Sequence, residues 1–192
     1  MWLGCYLLGS IPFGQLIARR AGVDLTQHGS GNIGAANAMR TLGLRIGIIV
    51  LVLDALKGLA AVYLAYFALL PSVLLAPTKI AFGLAAILGH NYPIYRLFKG
   101  GGKGIATSFG VLIALSPKVA LLAFLVWVAL AGLSRYSSVG SLGACAAVPI
   151  LMAFYREPLI YILFTVVVAA LAFHRHRGNI ERLWAGTELK MD

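Results

Sequence analysis

Charged side chains are scarce in this sequence. Asp, Glu, Lys and Arg make up 11% of its 192 residues against 60% hydrophobic, and the mean hydropathy is +0.90. That shortage excludes an ordinary soluble domain, in which about a quarter of the residues are charged. Acidic residues are scarcer still, six against sixteen Lys and Arg, which leaves a net charge of +10. Such a balance suits nucleic acid only where it forms a continuous basic surface. Here the cations are spread between apolar stretches, so no nucleic-acid partner is expected. Cysteine is nearly absent. Cys5 and Cys145 lie inside apolar segments without CxxC or Cys/His spacing, which excludes a disulfide framework and a zinc site and leaves both as small core residues. No metal or nucleotide requirement is visible. Nor does a basic region precede the first apolar stretch, whose cations, Arg19 and Arg20, follow it; a cleavable signal is therefore not expected.

What the sequence does have is long apolar runs: Trp2–Ala18, Ile46–Phe67, Ile80–Leu97, Ile105–Leu115, Val119–Leu133, Val139–Phe154 and Leu159–Phe173. Several are shorter than the ~20 residues of a full helical span, so tilted or broken helices are expected. Ile105–Leu133 is too long for one ordinary span and is interrupted by Ser116-Pro117-Lys118, where proline ends or kinks a helix. Counting two helices there gives seven spans. The segments after the odd-numbered spans then hold Arg19, Arg20, Arg40, Arg45, Arg96, Lys99, Lys103, Arg135, Arg175, Arg177, Arg182 and Lys190, while the other side holds only Lys79, Lys118 and Arg156. Basic loops stay in the cytoplasm, which predicts an outside N-terminus and a cytoplasmic C-terminus. No repeat or low-complexity linker divides the chain. The expectation is one all-α polytopic membrane domain over residues 1–192.

Three polar segments fall on the predicted cytoplasmic side. The first runs from Gly29 through Arg40 and includes Ser30, Gly31, Asn32 and Asn37. Its glycines spell GxGxxG, but no strand precedes them and no βαβ unit surrounds them, so a dinucleotide site is excluded on context. A glycine turn leading to a guanidinium suits phosphate, and it equally suits a tight interfacial turn. The second, Lys99-Gly100-Gly101-Gly102-Lys103-Gly104, leads into an apolar helix at Ile105. Flexible backbone, a lysine and a helix N-terminus make an anion site, with anionic lipid headgroups as the plainer alternative. It is not a Walker A motif, because Gly104 stands where Ser or Thr belongs. In the third, His174 to Arg182, a helix would put His176, Asn179 and Arg182 on one face, suited to a second phosphate or to lipid.

Other polar residues read more simply. Ser137, Ser138 and Ser141 stand at a helix start, where capping is the commonest role of serine. Asp54 and Lys57 lie three apart inside a span, and pairing with each other is the cheapest arrangement for charges at that depth. His90-Asn91-Tyr92-Pro93 forms a polar kink placed to tie down the glycine loop.

Set side by side, Gly9 to Gly14, Gly29 to Gly34, Asn37 with Arg40, Asp54 to Gly58, Gly89 to Pro93, Lys99 to Gly104, Ser138 with Ser141, and His176 to Ile180 resemble the bacterial acyl-phosphate:glycerol-3-phosphate acyltransferase family over nearly the full length. Ala36 departs from the pattern, standing where a threonine often occurs. The resemblance implies a multi-pass enzyme of the bacterial inner membrane, active on its cytoplasmic face, that acylates the 1-hydroxyl of glycerol 3-phosphate to lysophosphatidic acid in phospholipid synthesis. It implies no cofactor, and no partners beyond the two substrates and membrane lipid. On this resemblance Lys103, the amides of Gly101, Gly102 and Gly104, and Ser30, Gly31 and Asn32 would hold the acyl phosphate. Arg40, Ser138, His176 and Asn179 would hold glycerol 3-phosphate, and Asn37 occupies the family position in the first loop. Either His176 or a substrate phosphate would take the proton. A transporter of organic phosphates is the rival reading, and it requires polar residues through the midplane of the spans.

Overall fold

The computed structural model describes residues 1–191 and is helical, with no strand among the described residues. The chain divides into two compact units, Met1–Ala114 and Leu115–Asp192.

In the first unit, α1 (Trp2–Ser10) and α2 (Phe13–Arg20) are separated by Ile11-Pro12, so the first apolar stretch is two short helices instead of one span. Proline lacks the amide a continuous helix would need there. A loop leads to α3 (Ala35–Leu42), and Gly43 turns the chain into α4 (Leu44–Tyr63). Next comes α5 (Ser72–Asn91), which begins eight residues before the predicted Ile80 and stops before Leu97. The apolar run misjudged both ends because Pro77 and Lys79 lie inside the helix, while Tyr92-Pro93 ends it. Finally α6 (Ile105–Leu115) carries the chain to the break at Ser116.

Close helix packing here depends on missing side chains. A Cβ on Gly9 of α1 would stand 2.2 Å from the carbonyl oxygen of Ala86 in α5, and one on Gly110 of α6 would stand 1.8 Å from that of Ala55 in α4. Lipid offers no hydrophobic drive for helix association, so backbone proximity through small residues supplies the van der Waals contact instead. Around α1, α4 and α5 the buried cluster is correspondingly small-grained: Cys5, Ala61, Ala65, Phe82, Ala85 and Ala86. Asp54 and Lys57 are buried and paired at 2.8 Å.

The second unit holds α7 (Pro117–Ser134), α8 (Ser137–Phe154), α9 (Leu159–Arg175) and α10 (Arg177–Trp184). Pro117 begins α7 at the predicted break, where its missing amide costs nothing. α8 packs against α7 and α9. A bend of 57° separates α9 from α10 at His176. Among the described residues four helices, α4, α5, α7 and α8, are long and apolar enough to cross a membrane, and the bent α9–α10 pair adds a fifth if it is one span. The remaining predicted spans rest on shorter pieces: α1 with α2, and the 11-residue α6. Large apolar side chains face outward throughout, Leu133 at 87% and Phe154 at 75% exposure, as expected where the surroundings are hydrocarbon.

Candidate functional site

The glycine loop is seated on the end of α5. The Gly102 amide donates to the His90 carbonyl at 3.1 Å. A Cβ at Gly101 would meet the Asn91 carbonyl at 2.1 Å, one at Gly102 would meet His90 Nε2 at 1.9 Å, and one at Gly104 would meet Asn91 Oδ1 at 2.7 Å. The three glycines are therefore required by packing as well as by any ligand. Left-handed backbone at Leu97, Phe98, Gly100 and Gly104 coils the segment tightly before α6 begins. Two of those residues are not glycine, and each stores roughly 1–2 kcal/mol that the surrounding structure must overcome. Behind the loop, Asn91 is 1% exposed, yet neither its side-chain oxygen nor its nitrogen has a hydrogen-bond partner; the same is true of Thr107 Oγ1 in the first turn of α6. Buried polar atoms without partners are rare and mark places where something else completes the bonding. By helix geometry the first amides of α6 also lack partners within the helix. Lys103 stands between Gly102 and Gly104, half-buried.

The first loop is held differently from expectation. Asn37, buried in α3, accepts the Ser30 amide at 2.8 Å through Oδ1, and its Nδ2 points at the carbonyls of Leu25, His28 and Asn32. The Gly31 amide donates to the His28 carbonyl, and the Gly34 amide to Asn32 Oδ1. These amides are thus engaged within the loop instead of forming an open nest, and Asn37 serves as its organiser. Asp24 adds a brace: it accepts from Thr26 Oγ1 at 2.6 Å, from the Thr26 amide and from Gln15 Nε2 at 2.9 Å. The Thr26 and Gln15 hydrogen bonds lower its carboxyl to about 2. Arg40 is exposed, with its aliphatic stem close to Gly29.

Beside α2, an open groove of about 530 Å³ is lined by Ile11, Pro12, Gln15, Leu16, Arg19, Tyr95, Arg96 and Leu97.

The second unit gathers its polar residues around a glutamate that sequence reasoning did not single out. Glu188 accepts from Ser138 Oγ at 2.8 Å and Asn179 Nδ2 at 2.5 Å through one oxygen, and from Arg182 Nε at 2.8 Å through the other. Burial acts to raise its pKa, but the bonds from Asn179, Ser138 and Arg182 and the Arg182 charge outweigh it, so the carboxyl lies below the ordinary glutamate range. The available signal was faint: one of six acids, six residues beyond Arg182 at the end of the basic motif, behind a glycine turn. The expected serine caps are not formed. α8 has no side-chain cap bond; Ser138 goes to Glu188, while Ser141 donates to the Ser137 carbonyl and accepts from Trp127. Asn179 and Arg182 share a face of α10 as predicted, whereas His176 sits at the bend, buried, its Nδ1 2.7 Å from the Ala172 carbonyl. Because a carbonyl only accepts, that contact puts a proton on Nδ1.

Short and bent apolar helices packed through glycine, an anion-type loop at a helix start and a buried cluster of polar side chains define a polytopic membrane protein built to handle charged groups. The sequence model described as "Glycerol-3-phosphate acyltransferase" matches residues 1–186, and the chain belongs to that family. It is 48% identical over 186 residues to the glycerol-3-phosphate acyltransferase of Geotalea daltonii, covering 97% of this chain and 93% of the relative. With that of Mesorhizobium japonicum it shares 50% over 188 residues, covering 97% and 92%. A crystal structure of PlsY (YgiH), an integral membrane glycerol 3-phosphate acyltransferase in its glycerol 3-phosphate form, superposes with a TM-score of 0.92 at 40% identity, covering all of this chain and 94% of that one. A lysophosphatidic acid form of PlsY gives a TM-score of 0.89. The chain is an integral membrane acyltransferase acting on glycerol 3-phosphate.

Proposed function

We propose that the acyl donor is an acyl phosphate and that the products are lysophosphatidic acid and inorganic phosphate, formed at the cytoplasmic face of a bacterial inner membrane. The observation that carries this reading is the glycine loop. Its backbone is stripped of side chains at Gly101, Gly102 and Gly104, it carries Lys103, it opens at the start of α6, and it is backed by Asn91 with no partner for its amide. An acyl phosphate is already activated and carries a good leaving group, so positioning and charge neutralisation suffice.

Lys103 and the amides of Gly101 and Gly104 hold the donor phosphate and offset charge on the carbonyl oxygen, while the Gly102 amide, already bonded to the His90 carbonyl, fixes the loop beneath them. The Ser30 hydroxyl and the Asn32 side-chain amide N–H supply further donors, and Gly31 leaves room beside them, since their loop already engages the Ser30, Gly31 and Gly34 amides. Ser138, Asn179, His176 and Arg40 receive glycerol 3-phosphate, whose phosphate replaces Glu188 as the acceptor of the Ser138 and Asn179 bonds. The 1-hydroxyl oxygen attacks the acyl carbon, the bond from that carbon to the phosphate oxygen breaks, and phosphate leaves with the electron pair. The proton passes to a substrate phosphate, whose second pKa of ~6 suits the task. Arg19 and Arg96 over apolar groove walls suit contact with anionic lipid.

The test is phosphate release by purified protein, with the lipid product identified by mass. Release that requires both acyl phosphate and glycerol 3-phosphate is expected. Hydrolysis of acyl phosphate alone, or acyl transfer only from a thioester, would refute the donor assignment.

A further inference from the structure

Beneath the glycine loop lies a chain of buried charge with no evident part in binding either substrate. Lys57 Nζ has three acceptors around it: Asp54 Oδ1 at 2.8 Å, the Ile11 carbonyl at 3.1 Å and His90 Nδ1 at 2.8 Å. Asp54, Lys57 and His90 are each no more than 6% exposed. Asp54 holds the ammonium as an ion pair, and because an ammonium has donors and no acceptor, His90 Nδ1 must be the atom receiving the bond. The Asp54 oxygen is 3.6 Å from that nitrogen, too far to accept a proton from it. The hydrogen of the imidazole is thereby assigned to Nε2, the atom that lies against Gly102. The same residue's carbonyl takes the Gly102 amide.

We propose that His90 is a positioning residue for the glycine loop, and that Asp54 and Lys57 lock its ring in the Nε2–H form so that an N–H donor, never a bare lone pair, faces Gly102 and the anion the loop receives. This rests on the loop's being the acyl-phosphate cradle. A free imidazole would exchange tautomers and rotate. One pinned at Nδ1 by a buried ammonium does neither, and it presents a fixed donor beneath Gly102 and Lys103. The ring touches the loop's backbone and leaves the reacting atoms to other groups. Its loss therefore weakens donor binding more than turnover.

The experiment pairs kinetics with nitrogen NMR of the four histidines in detergent, with the His90 signals assigned by substitution. Removing Lys57 alone would strand the Asp54 charge and risk the fold, so the test variant is Asp54→Leu with Lys57→Met, which removes the pair together. In the parent, His90 Nδ1 should show as unprotonated and Nε2 as protonated, and in the double variant the two should mix. KM for acyl phosphate should rise about tenfold, the scale of a lost outer-shell partner, with kcat and KM for glycerol 3-phosphate changed by less than about threefold. His90→Ala should do the same, and His90→Gln, whose amide can place N–H near the Nε2 position, should recover most of the loss. Unchanged nitrogen signals in the double variant, or a glutamine no better than alanine, overturns the proposal. A mixed tautomer accompanied by a rise in KM for glycerol 3-phosphate alone supports the hold on Gly102 and overturns the assignment of the loop to acyl phosphate.

Discussion

Lys103 stands between two glycines that cannot take a side chain, at the start of a helix, and its ammonium is the charge the loop contributes. Replacing it with alanine should lower kcat/KM by about 100-fold or more, the scale of losing one preorganised electrostatic donor, while the protein elutes as a folded species in detergent. Turnover near the parent's would end its central role. His176 separates the two destinations of the proton. If a substrate phosphate takes it, His176→Ala raises KM for glycerol 3-phosphate and spares kcat; if Nε2 takes it, kcat falls at saturation. Glu188 governs stability instead of chemistry. Its folded pKa lies below the ordinary value of about 4.5, so its contribution is complete above that value and is lost as pH falls through the lower folded one. Thermal unfolding in detergent should show the midpoint dropping below about pH 4.5, and Glu188→Gln should start lower and fall less steeply. A variant with the parent's acid profile would show that the Ser138–Asn179–Arg182 cluster does not depend on this carboxylate.

At the scale of the element, glycine decides what can pack. Gly4 and Gly9 lie in the same short helix, yet a Cβ at Gly4 meets nothing within 4 Å while one at Gly9 meets the backbone of Ala86. Gly9→Ala should therefore cost about 1–3 kcal/mol as α1 is forced away from α5, whereas Gly4→Ala should be neutral or stabilising. Equal thermal midpoints would show that α1 shifts without penalty. The same distinction marks what could be read in advance. The break at Ser116-Pro117 was legible because proline acts locally, and the reading of Lys99 to Gly104 as an anion loop likewise needs only residue types in a row. The ends of α5 were not legible, because Pro77 is exposed near the start of the helix and Lys79 donates to Tyr66 Oη, which hydropathy cannot weigh. Asn37 was singled out by its place in a known pattern. Its work of gathering three carbonyls and the Ser30 amide depends on the fold of residues 25 to 32. Glu188 escaped notice because an isolated acid gains meaning only from the serine, asparagine and arginine that the fold brings to it.

For the whole molecule, the proposed transfer requires that the phosphate assigned to the glycine loop and the one assigned to residues of the tail be reached from a single membrane surface. The distribution of cations predicts the side. Lys99 and Arg177 belong to the basic segments assigned to the cytoplasm, and both are exposed; Leu69, between α4 and α5, is 96% exposed in a segment assigned outside. Cysteine placed singly at these three positions, in a chain with Cys5 and Cys145 replaced by alanine, provides the test in intact cells. A membrane-impermeant maleimide should label Leu69→Cys from outside and reach Lys99→Cys and Arg177→Cys only after the membrane is opened. All three variants should keep phosphate release within about threefold of the parent, since none alters a group assigned to either substrate. Labelling of Lys99→Cys and Arg177→Cys from opposite sides would place the two segments proposed to bind phosphate on different leaflets. No arrangement of Lys103, Ser138 and Asn179 could then bring the hydroxyl to the acyl carbon.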